Sequence, residues 1–591
     1  MSERDTVRAV LVPPVVSSFR VSAALDADLA RRPPRIGFGL SFVGAANNLH
    51  ADHPRQRGTN LRPGVLALVV WATLVASASA QGFRDLGNDI EAARETQVVS
   101  HGAMRTRFET LTNLDLDRGP QTNGEAIFPV PLSDLDAQTL THADFRLRTD
   151  LALLVPKAGM AVKLRIDALD NLALGSQPDG VPSVAVSQRP ANQPFVVRRA
   201  YGEVLTPLGM FAVGRMGNHW GLGMLANGGD CSDCDSGDAA DRVAFVTPLL
   251  GHVWAVAFDW TSIGPTTDRA APNRVVGLDR ADDVRTFTFA FFDFHTDLAR
   301  RRRARANRIS VEYGAYVSHR WQDRDVPADY LPAANPVPLT RAQSQHRGFR
   351  ATAVDGWLKV TLPTARIELE AAYLHARIDQ PSLLAGVELR DAYTSSQFGA
   401  ALESDFGPGV GAGTSPWSLG LDAGFASGDP APGFGALYGR NDRGTTASAP
   451  QPGDLDGPQA NAPFDTRVDN FRFHSDYRVD RILFREIIGT VTDAIYVRPH
   501  GRVRLADLGP GRLEAQLAAI ASFAVEPSST LSGERGLGIE LDPTLVYATT
   551  QGFLLSLEYA VLFPLAGFDN PTLGLNAKPA QLFRARLGLQ F

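Results

Sequence analysis

Two cysteines and five aspartates are concentrated in one stretch of the sequence, and these residue types can bind a cation or form a crosslink. They are Cys231, Cys234, Asp230, Asp233, Asp235, Asp238 and Asp241. Carboxylate clusters supply the hard oxygen ligands that Ca²⁺ prefers, so Asp230, Asp233 and Asp235 are candidate calcium ligands. Their spacing does not match a standard calcium-binding loop, and a solvated loop pinned by a disulfide is the alternative. Two cysteines alone make half a zinc site at best.

A second group consists of basic side chains that recur at every second position of several segments. They are Arg105, Arg107, Arg146, Arg148, Lys163, Arg165, Arg584 and Arg586. Residues two apart on a β-strand point to the same face. A soluble β-sandwich could not easily accommodate these basic side chains, because burying an unpaired charge costs on the order of several kcal/mol. The pattern therefore favours strands that face water in a lumen on one side and lipid on the other.

The final eleven residues show this alternation most clearly. Phe583, Ala585, Leu587, Leu589 and Phe591 fall on one face, and mostly polar residues fall on the other. A terminal aromatic preceded by apolar residues at alternate positions resembles the closing strand of bacterial outer-membrane barrels. We interpret Leu587, Leu589 and Phe591 as an insertion signal for the barrel-assembly machinery.

The same periodicity predicts about eighteen strands, with sixteen as the lower bound. They cover residues 103–117, 142–155, 160–174, 194–206, 209–216, 242–247, 252–262, 283–296, 307–320, 350–362, 364–379, 394–406, 416–427, 493–506, 511–525, 535–549, 552–563 and 581–591. The connections alternate between long and short along the chain, as short periplasmic turns and long extracellular loops do. The predicted fold is an all-β, antiparallel, up-and-down transmembrane β-barrel.

Closure of such a barrel pairs the last strand with the first. Four consecutive strands then carry the eight basic side chains on the inner surface, and we call this group the basic wall. About half the circumference away, Glu368 and Glu370 point inward and form an acidic wall. The field between the walls predicts a modest anion preference that weakens as salt rises. Alternatively, these charges pair across neighbouring strands and only solvate the lumen.

The N-terminal sequence predicts export. An apolar run over residues 65–75 follows Arg62, and Ala78-Ser79-Ala80 form a small-residue cleavage site before Gln81. We therefore predict a disordered, mis-called extension over residues 1–60, a signal peptide over 61–80, a periplasmic lead over 81–102 and the barrel over 103–591. Export would favour a disulfide between Cys231 and Cys234, because the destination is oxidising.

One further segment has helical periodicity. Within Arg478–Gly489, apolar residues Val479, Ile482, Leu483 and Ile487 recur at the spacing of an amphipathic helix. This helix would lie either inside the lumen or on the outer surface of the loops.

Catalysis has little support. The sequence contains no nucleophile elbow, no His-Glu-x-x-His motif and no phosphate-binding glycine loop, so we assign no catalytic residue. Histidines such as His219, His375 and His474 could still meet in the loops and form a hydrolase site, which is the least favoured function. The net charge of −6 gives no support to nucleic-acid binding.

Three stretches have distinctive sequences. They are Val213–Arg242, with His219-Trp220-Gly221-Leu222-Gly223-Met224 at its centre; Gly424–Asp429; and the run from Phe471-Arg472-Phe473-His474 to Thr490. In these stretches the chain resembles an uncharacterised family of large, porin-like outer-membrane β-barrel proteins of delta-class proteobacteria. The resemblance covers most of the chain after the export signal and none of the first sixty residues. It implies location and fold rather than chemistry.

The sequence thus predicts an outer-membrane channel for small hydrophilic solutes, without a cofactor unless calcium binds in the Asp230–Asp241 loop. The expected partners are membrane lipid, lipopolysaccharide and the barrel-assembly machinery, and both a monomer and a trimer are compatible with the pattern. The competing interpretation is a structural or surface-binding barrel closed by its long loops.

Overall fold

β-Strands make up most of the computed structural model. It describes residues 82–121, 124, 126–128, 138–174, 195–264, 267–271, 274–326, 344–382, 387–436, 451–455, 460 and 465–591. The extension and signal peptide predicted over residues 1–80 lie outside the described residues.

The strands of the described chain follow one another with few helices between them. They are β1 (Gln97–Thr112), β2 (Thr139–Val155), β3 (Met160–Ala173), β4 (Val196–Thr206), β5 (Gly209–Gly217), β6 (Ala239–Leu249), β7 (His252–Ser262), β8 (Thr267–Ala271), β9 (Arg274–Gly277), β10 (Val284–Asp293), β11 (Ser310–Asp325), β12 (Gln345–Leu362), β13 (Ala365–Ile378), β14 (Tyr393–Phe406), β15 (Trp417–Ala426), β16 (Ala494–Leu508), β17 (Gly511–Ala524), β18 (Gly536–Thr549), β19 (Phe553–Pro564) and β20 (Ala580–Gln590).

Eighteen of these strands form one closed antiparallel barrel, and each overlaps a predicted strand. The barrel closes because β1 pairs with β20 as well as with β2, with Ala103 opposite Gln590 and Thr112 opposite Gln581. Strands β8 and β9 pair only with each other and form a hairpin in the long connection between β7 and β10. The predicted fold class and strand number are therefore confirmed, and the chain is a transmembrane β-barrel.

The first strand differs from its prediction at both ends. It begins at Gln97 rather than Ala103, inside the predicted periplasmic lead, and ends at Thr112 rather than Asp117. Asn113, Leu116 and Asp117 have positive φ angles of 58°, 62° and 52°, which depart from the extended backbone of a regular strand. The turn therefore starts earlier than the alternation suggested.

The outer surface of the barrel is apolar. Large side chains such as Leu153, Val213, Phe398, Leu517 and Phe583 are exposed at alternate positions of their strands. A surface of this extent would associate in water, but it matches the hydrocarbon of a bilayer. No helix of the described residues combines the length and the apolar character needed to cross a membrane.

Short helical elements occupy some of the connections. They are α1 (Asn88–Ala92), α2 (Asp297–Arg305), a π-helical turn (Leu483–Ile487) and 3₁₀ turns at Phe83–Asp85, Pro156–Ala158, Pro527–Ser529 and Ala566–Phe568. The helix predicted over Arg478–Gly489 is thus present only as the five-residue π-helical turn.

The described residues outside the barrel wall include three segments that fold into the lumen. We call them the N-terminal segment (residues 82–93), the cysteine loop (218–238, between β5 and β6) and the inner segment (465–493, between β15 and β16). Ile482, Leu483 and Ile487 of the inner segment are buried in one cluster with inward residues of the wall, which places the predicted helical segment inside the lumen. Phe83 and Trp220 of the other two segments belong to a second buried cluster.

Candidate pore

The basic wall lies on the inner surface of the adjacent strands β20, β1, β2 and β3. Seven of its eight side chains are buried, and Arg584 is fully buried. The register places Arg105 opposite Arg146 and Arg107 opposite Arg586. Like charges opposite each other destabilise a sheet, so this wall needs neutralising groups.

The cysteine loop supplies part of that neutralisation. Asp235 lies 2.9 Å from a guanidinium nitrogen of Arg105 and 2.9 Å from one of Arg107. Arg107 also donates to Asp233 at 3.3 Å. Carboxylates of the cysteine loop therefore lie beside the basic wall and neutralise part of its charge.

Carboxylates of neighbouring strands pair with most of the other basic side chains, although Nη1 of Arg146 is buried without a hydrogen-bond partner in the described chain. Arg148 donates to Asp167 at 2.7 Å and 2.8 Å, which is the planar two-bond geometry that guanidinium favours. Lys163 lies 3.0 Å from Glu203. The expected transverse field is therefore largely cancelled on the basic side, as in the alternative in which these charges pair with their neighbours.

The three candidate calcium ligands face arginines. Arg199 donates to Asp230 at 2.8 Å, and Arg165 pairs with the same carboxylate. Burial alone would raise the pKa of Asp233, but the nearby arginines, foremost Arg485, hold it well below its ordinary value. Within the described ranges no group of three or more His, Cys, Asp or Glu side chains is arranged to hold a metal ion. The arrangement favours guanidinium partners over calcium.

The two cysteines lie at the tip of this loop. Cys231 and Cys234 are joined as a disulfide, and the carbonyl of Cys234 accepts a hydrogen bond from Arg105 at 2.9 Å. The crosslinked tip is therefore held directly against the basic wall.

The two residues of the acidic wall have different roles. Glu368 lies 2.9 Å from Lys359 and 2.9 Å from Arg366, so it is neutralised within the wall. Glu370 is fully buried and accepts backbone N–H groups of the cysteine loop, from Leu222 and, at 3.2 Å, from Leu225. It faces the loop rather than open water, which the sequence analysis did not anticipate.

A similar anchor holds the inner segment. Glu540 of β18 accepts backbone N–H groups from Arg481 at 2.8 Å, Ile482 at 2.9 Å and Leu483 at 3.0 Å. Sequence reasoning missed Glu540. Its only signal was its inward position on β18 beside Asp542, which does not reveal a partner 58 residues away.

The N-terminal segment lies against the inner wall rather than in the periplasm. Its Gly87 N–H donates to Glu203 at 3.2 Å, and Asp89 lies 2.9 Å from Lys163. Phe83 stacks under the guanidinium of Arg242 at 5.2 Å. Residues 82–93, part of the lead predicted over residues 81–102, therefore pack against the inner wall, where Phe83 and Ile90 are buried.

Open space remains on the other side of the lumen. A cavity of about 900 Å³ lies against the extracellular halves of β4–β7 and β11–β14, and we call it the chamber. The cysteine loop and the inner segment form its remaining side. Arg320 of β11 is exposed to it and donates to the Thr286 hydroxyl at 3.2 Å.

Aromatic side chains close the chamber towards the periplasmic end. Trp220 of the cysteine loop lies 5.4 Å from Tyr316 and 6.1 Å from Phe292 between ring centroids, and Trp357 lies in the same cluster. The indole N–H of Trp220 donates to Asp355 at 2.9 Å, which fixes the ring. We call these four aromatic residues the floor. A cavity of about 30 Å³, lined by Phe83, lies on its other side.

The three histidines considered for catalysis have separate surroundings. His219 accepts the Gly228 N–H at 3.3 Å, and His474 lies 3.5 Å from Asp238. His375 is exposed on β13. Nothing in this arrangement supplies a nucleophile with an adjacent base.

Comparison with solved structures finds similar barrels. OccK9 (OpdG) of Pseudomonas aeruginosa has a TM-score of 0.42 and 11% identity, with 86% of this chain and all of that chain covered. OccAB4 of Acinetobacter baumannii has a TM-score of 0.39 and 10% identity over 84% and 99% of the two chains. OpdK of P. aeruginosa, solved with vanillate, has a TM-score of 0.38 and 10% identity over 83% and 98%.

No protein-family model matches this sequence, and no curated protein matches it. The resemblance to the delta-proteobacterial family stays a prediction.

Proposed function

We propose that this protein is an outer-membrane channel for the diffusion of small hydrophilic solutes. The observation that carries the proposal is the chamber, because charged side chains such as Arg198, Asp259 and Arg320 are part of its lining and its volume is about 900 Å³. An eighteen-strand barrel is wide enough to retain such a space even when loops fold into it. The floor beneath the chamber is then the constriction that limits solute size.

The apolar outer surface supports a location in the outer membrane, with the short connections on the periplasmic side. The termini of the described barrel, Gln97 and Gln590, lie at the same end as these connections. Contacts with lipid, lipopolysaccharide and the assembly machinery, with Phe591 at the insertion signal, follow from that location. A cleaved signal peptide is part of the same proposal.

A loop-closed structural barrel is the second candidate. The ion-paired cysteine loop and the buried inner segment favour it, because they fill the lumen beside the basic wall. The chamber favours the channel, because a purely structural barrel gains nothing from an open space against half its circumference.

We expect a modest anion preference that is set in the chamber rather than at the basic wall. Arg320 is exposed there, and no carboxylate of the described chain pairs with it. Reversal potentials in a salt gradient should show that Arg320→Gln weakens the anion preference at 0.1 M salt. The preference should also fade towards 1 M, where the Debye length falls to about 3 Å.

Arg390→Gln is the matched control, since Arg390 is exposed in the connection after β13 but does not line the chamber. It should leave the reversal potential unchanged. A cation preference in the unmodified channel, or an equal effect of both substitutions, would contradict the assignment to Arg320.

A further inference from the structure

Helix α2 lies at the periplasmic end of the barrel and is strongly basic. The connection from residue 294 to residue 309 contains six arginines and one aspartate, a formal charge of +5. The other connections at this end are nearly neutral, with Lys157 as their one charged residue in the turns of the described barrel. Positive charge at this end is thus concentrated on one helix.

One face of α2 is committed to the barrel. Arg300 lies 2.9 Å from Glu312, which is fully buried on β11, and Arg301 lies 2.8 Å from Asp297. Ala304 is buried. The Arg300–Glu312 pair and the buried Ala304 hold the helix against the rim and leave the opposite face to its surroundings. The Arg301–Asp297 pair lies within the helix.

The opposite face carries arginines without a carboxylate partner in the described chain. Arg302 and Arg305 of this face are exposed, Arg308 is exposed three residues after the helix ends, and Leu298 on the same side of the helix is 44% exposed. Ile309, which follows directly, is 51% exposed and continues the outward apolar face of β11. The basic face therefore adjoins the lipid-facing wall.

Aromatic side chains mark the membrane boundary immediately beside α2. On the outer surface, Trp254 packs on Phe291 with ring centroids 4.8 Å apart, and His252 donates to or accepts from the Tyr313 hydroxyl at 2.7 Å. These residues lie at the periplasmic ends of β7, β10 and β11. Aromatic girdles occupy the level of the lipid headgroups. A helix just beyond this girdle therefore meets headgroups.

We propose that α2 and the residues that follow it bind the anionic headgroups of phospholipids in the periplasmic leaflet of the outer membrane, through Arg302 and Arg305 of the helix and Arg308 after it. Guanidinium groups pair with phosphate in a planar two-bond geometry, and the adjacent Leu298 and Ile309 contact the acyl chains. The inference rests on the proposed membrane location and is independent of conduction.

The test compares lipid retention by the full chain refolded in mixed micelles. Native mass spectrometry counts phosphatidylglycerol and phosphatidylcholine bound to the unmodified protein and to the triple variant Arg302→Gln, Arg305→Gln, Arg308→Gln. Phosphatidylglycerol should be retained preferentially, and the triple variant should bind it about tenfold more weakly, since each basic residue near an anionic surface contributes appreciably.

The matched control is the triple variant Arg94→Gln, Lys157→Gln, Arg512→Gln, which removes three exposed charges elsewhere at the same end. It should retain the lipid, as should a variant with lysine at positions 302, 305 and 308. Heat-dependent electrophoretic mobility verifies that every variant is folded.

Equal loss in both triple variants, or equal retention of the two lipids by the unmodified protein, would overturn the proposal. Displacement of the lipid by millimolar inorganic phosphate would do so too, because it would show a site for free anions. Failure of the protein to conduct would leave this lipid result intact and would count only against the channel.

Discussion

Replacing Trp220 by alanine should raise the single-channel conductance at least about twofold, because the indole closes the constriction between the two cavities of the lumen. Trp220 is 6% exposed and packs on Phe292 and Tyr316, with its N–H bonded to Asp355. The cavity beyond it is lined by the same indole. Truncation would join the chamber to that cavity, and the measurement is the step size in planar bilayers.

Two variants separate this effect from general destabilisation. Trp220→Phe keeps most of the bulk and should stay close to the unmodified conductance. Trp417→Ala removes an indole from the outer surface, where Trp417 is 46% exposed, and should leave the step size unchanged. If Trp220→Ala gives steps of unaltered size in a folded barrel, the floor is not the constriction.

Replacing Glu370 by alanine should release the cysteine loop. The fully buried carboxyl accepts backbone N–H groups from Leu222 and Leu225, and each buried donor left unpaired costs roughly 1–3 kcal/mol. We therefore expect faster hydrogen exchange over residues 218–228 and a noisier, larger conductance. Exchange measured by mass spectrometry on the refolded protein reports the loop directly.

Glu368→Ala is the control that the same strand offers. Glu368 is also buried, but its partners Lys359, Arg366 and the floor residue Trp357 all lie on barrel strands and not in the cysteine loop. This substitution should destabilise the barrel without changing exchange in the cysteine loop. Equal acceleration of loop exchange in both variants would show that Glu370 is not a specific anchor.

The barrel could be predicted because its signal is local. Apolar and polar residues alternate with a period of two within each strand, as in Phe583 to Phe591. Each strand therefore shows the pattern independently of the others. The inward direction of the basic and acidic side chains followed from the same rule. Strand ends were less predictable, because a positive φ at Asn113 interrupts a pattern that continues in the sequence.

The contacts inside the lumen could not be predicted, because the residues that form each contact are far apart in the sequence. Arg105 meets Asp235 across 130 residues, and Glu370 meets Leu222 across 148. No periodicity encodes such pairs. The aspartates suggested a calcium loop, and the arginines suggested an open basic wall. In the structure they pair with each other in one interface, and neither stretch of sequence reveals this pairing alone.

The burial of the N-terminal segment illustrates the same limit. Phe83 and Ile90 are isolated apolar residues in a polar stretch, so they gave no strand or helix signal. Their contacts with Tyr201 and Met210 exist only once the barrel has closed around them.

Single-channel recording of the refolded, unmodified protein in planar bilayers tests the central claim most directly. The chamber and its aromatic floor predict stable open steps with a modest anion preference at 0.1 M salt. A protein that inserts and is shown to be folded by its heat-dependent mobility, yet gives no open steps at any applied voltage, would contradict the channel and favour a barrel closed by its own loops.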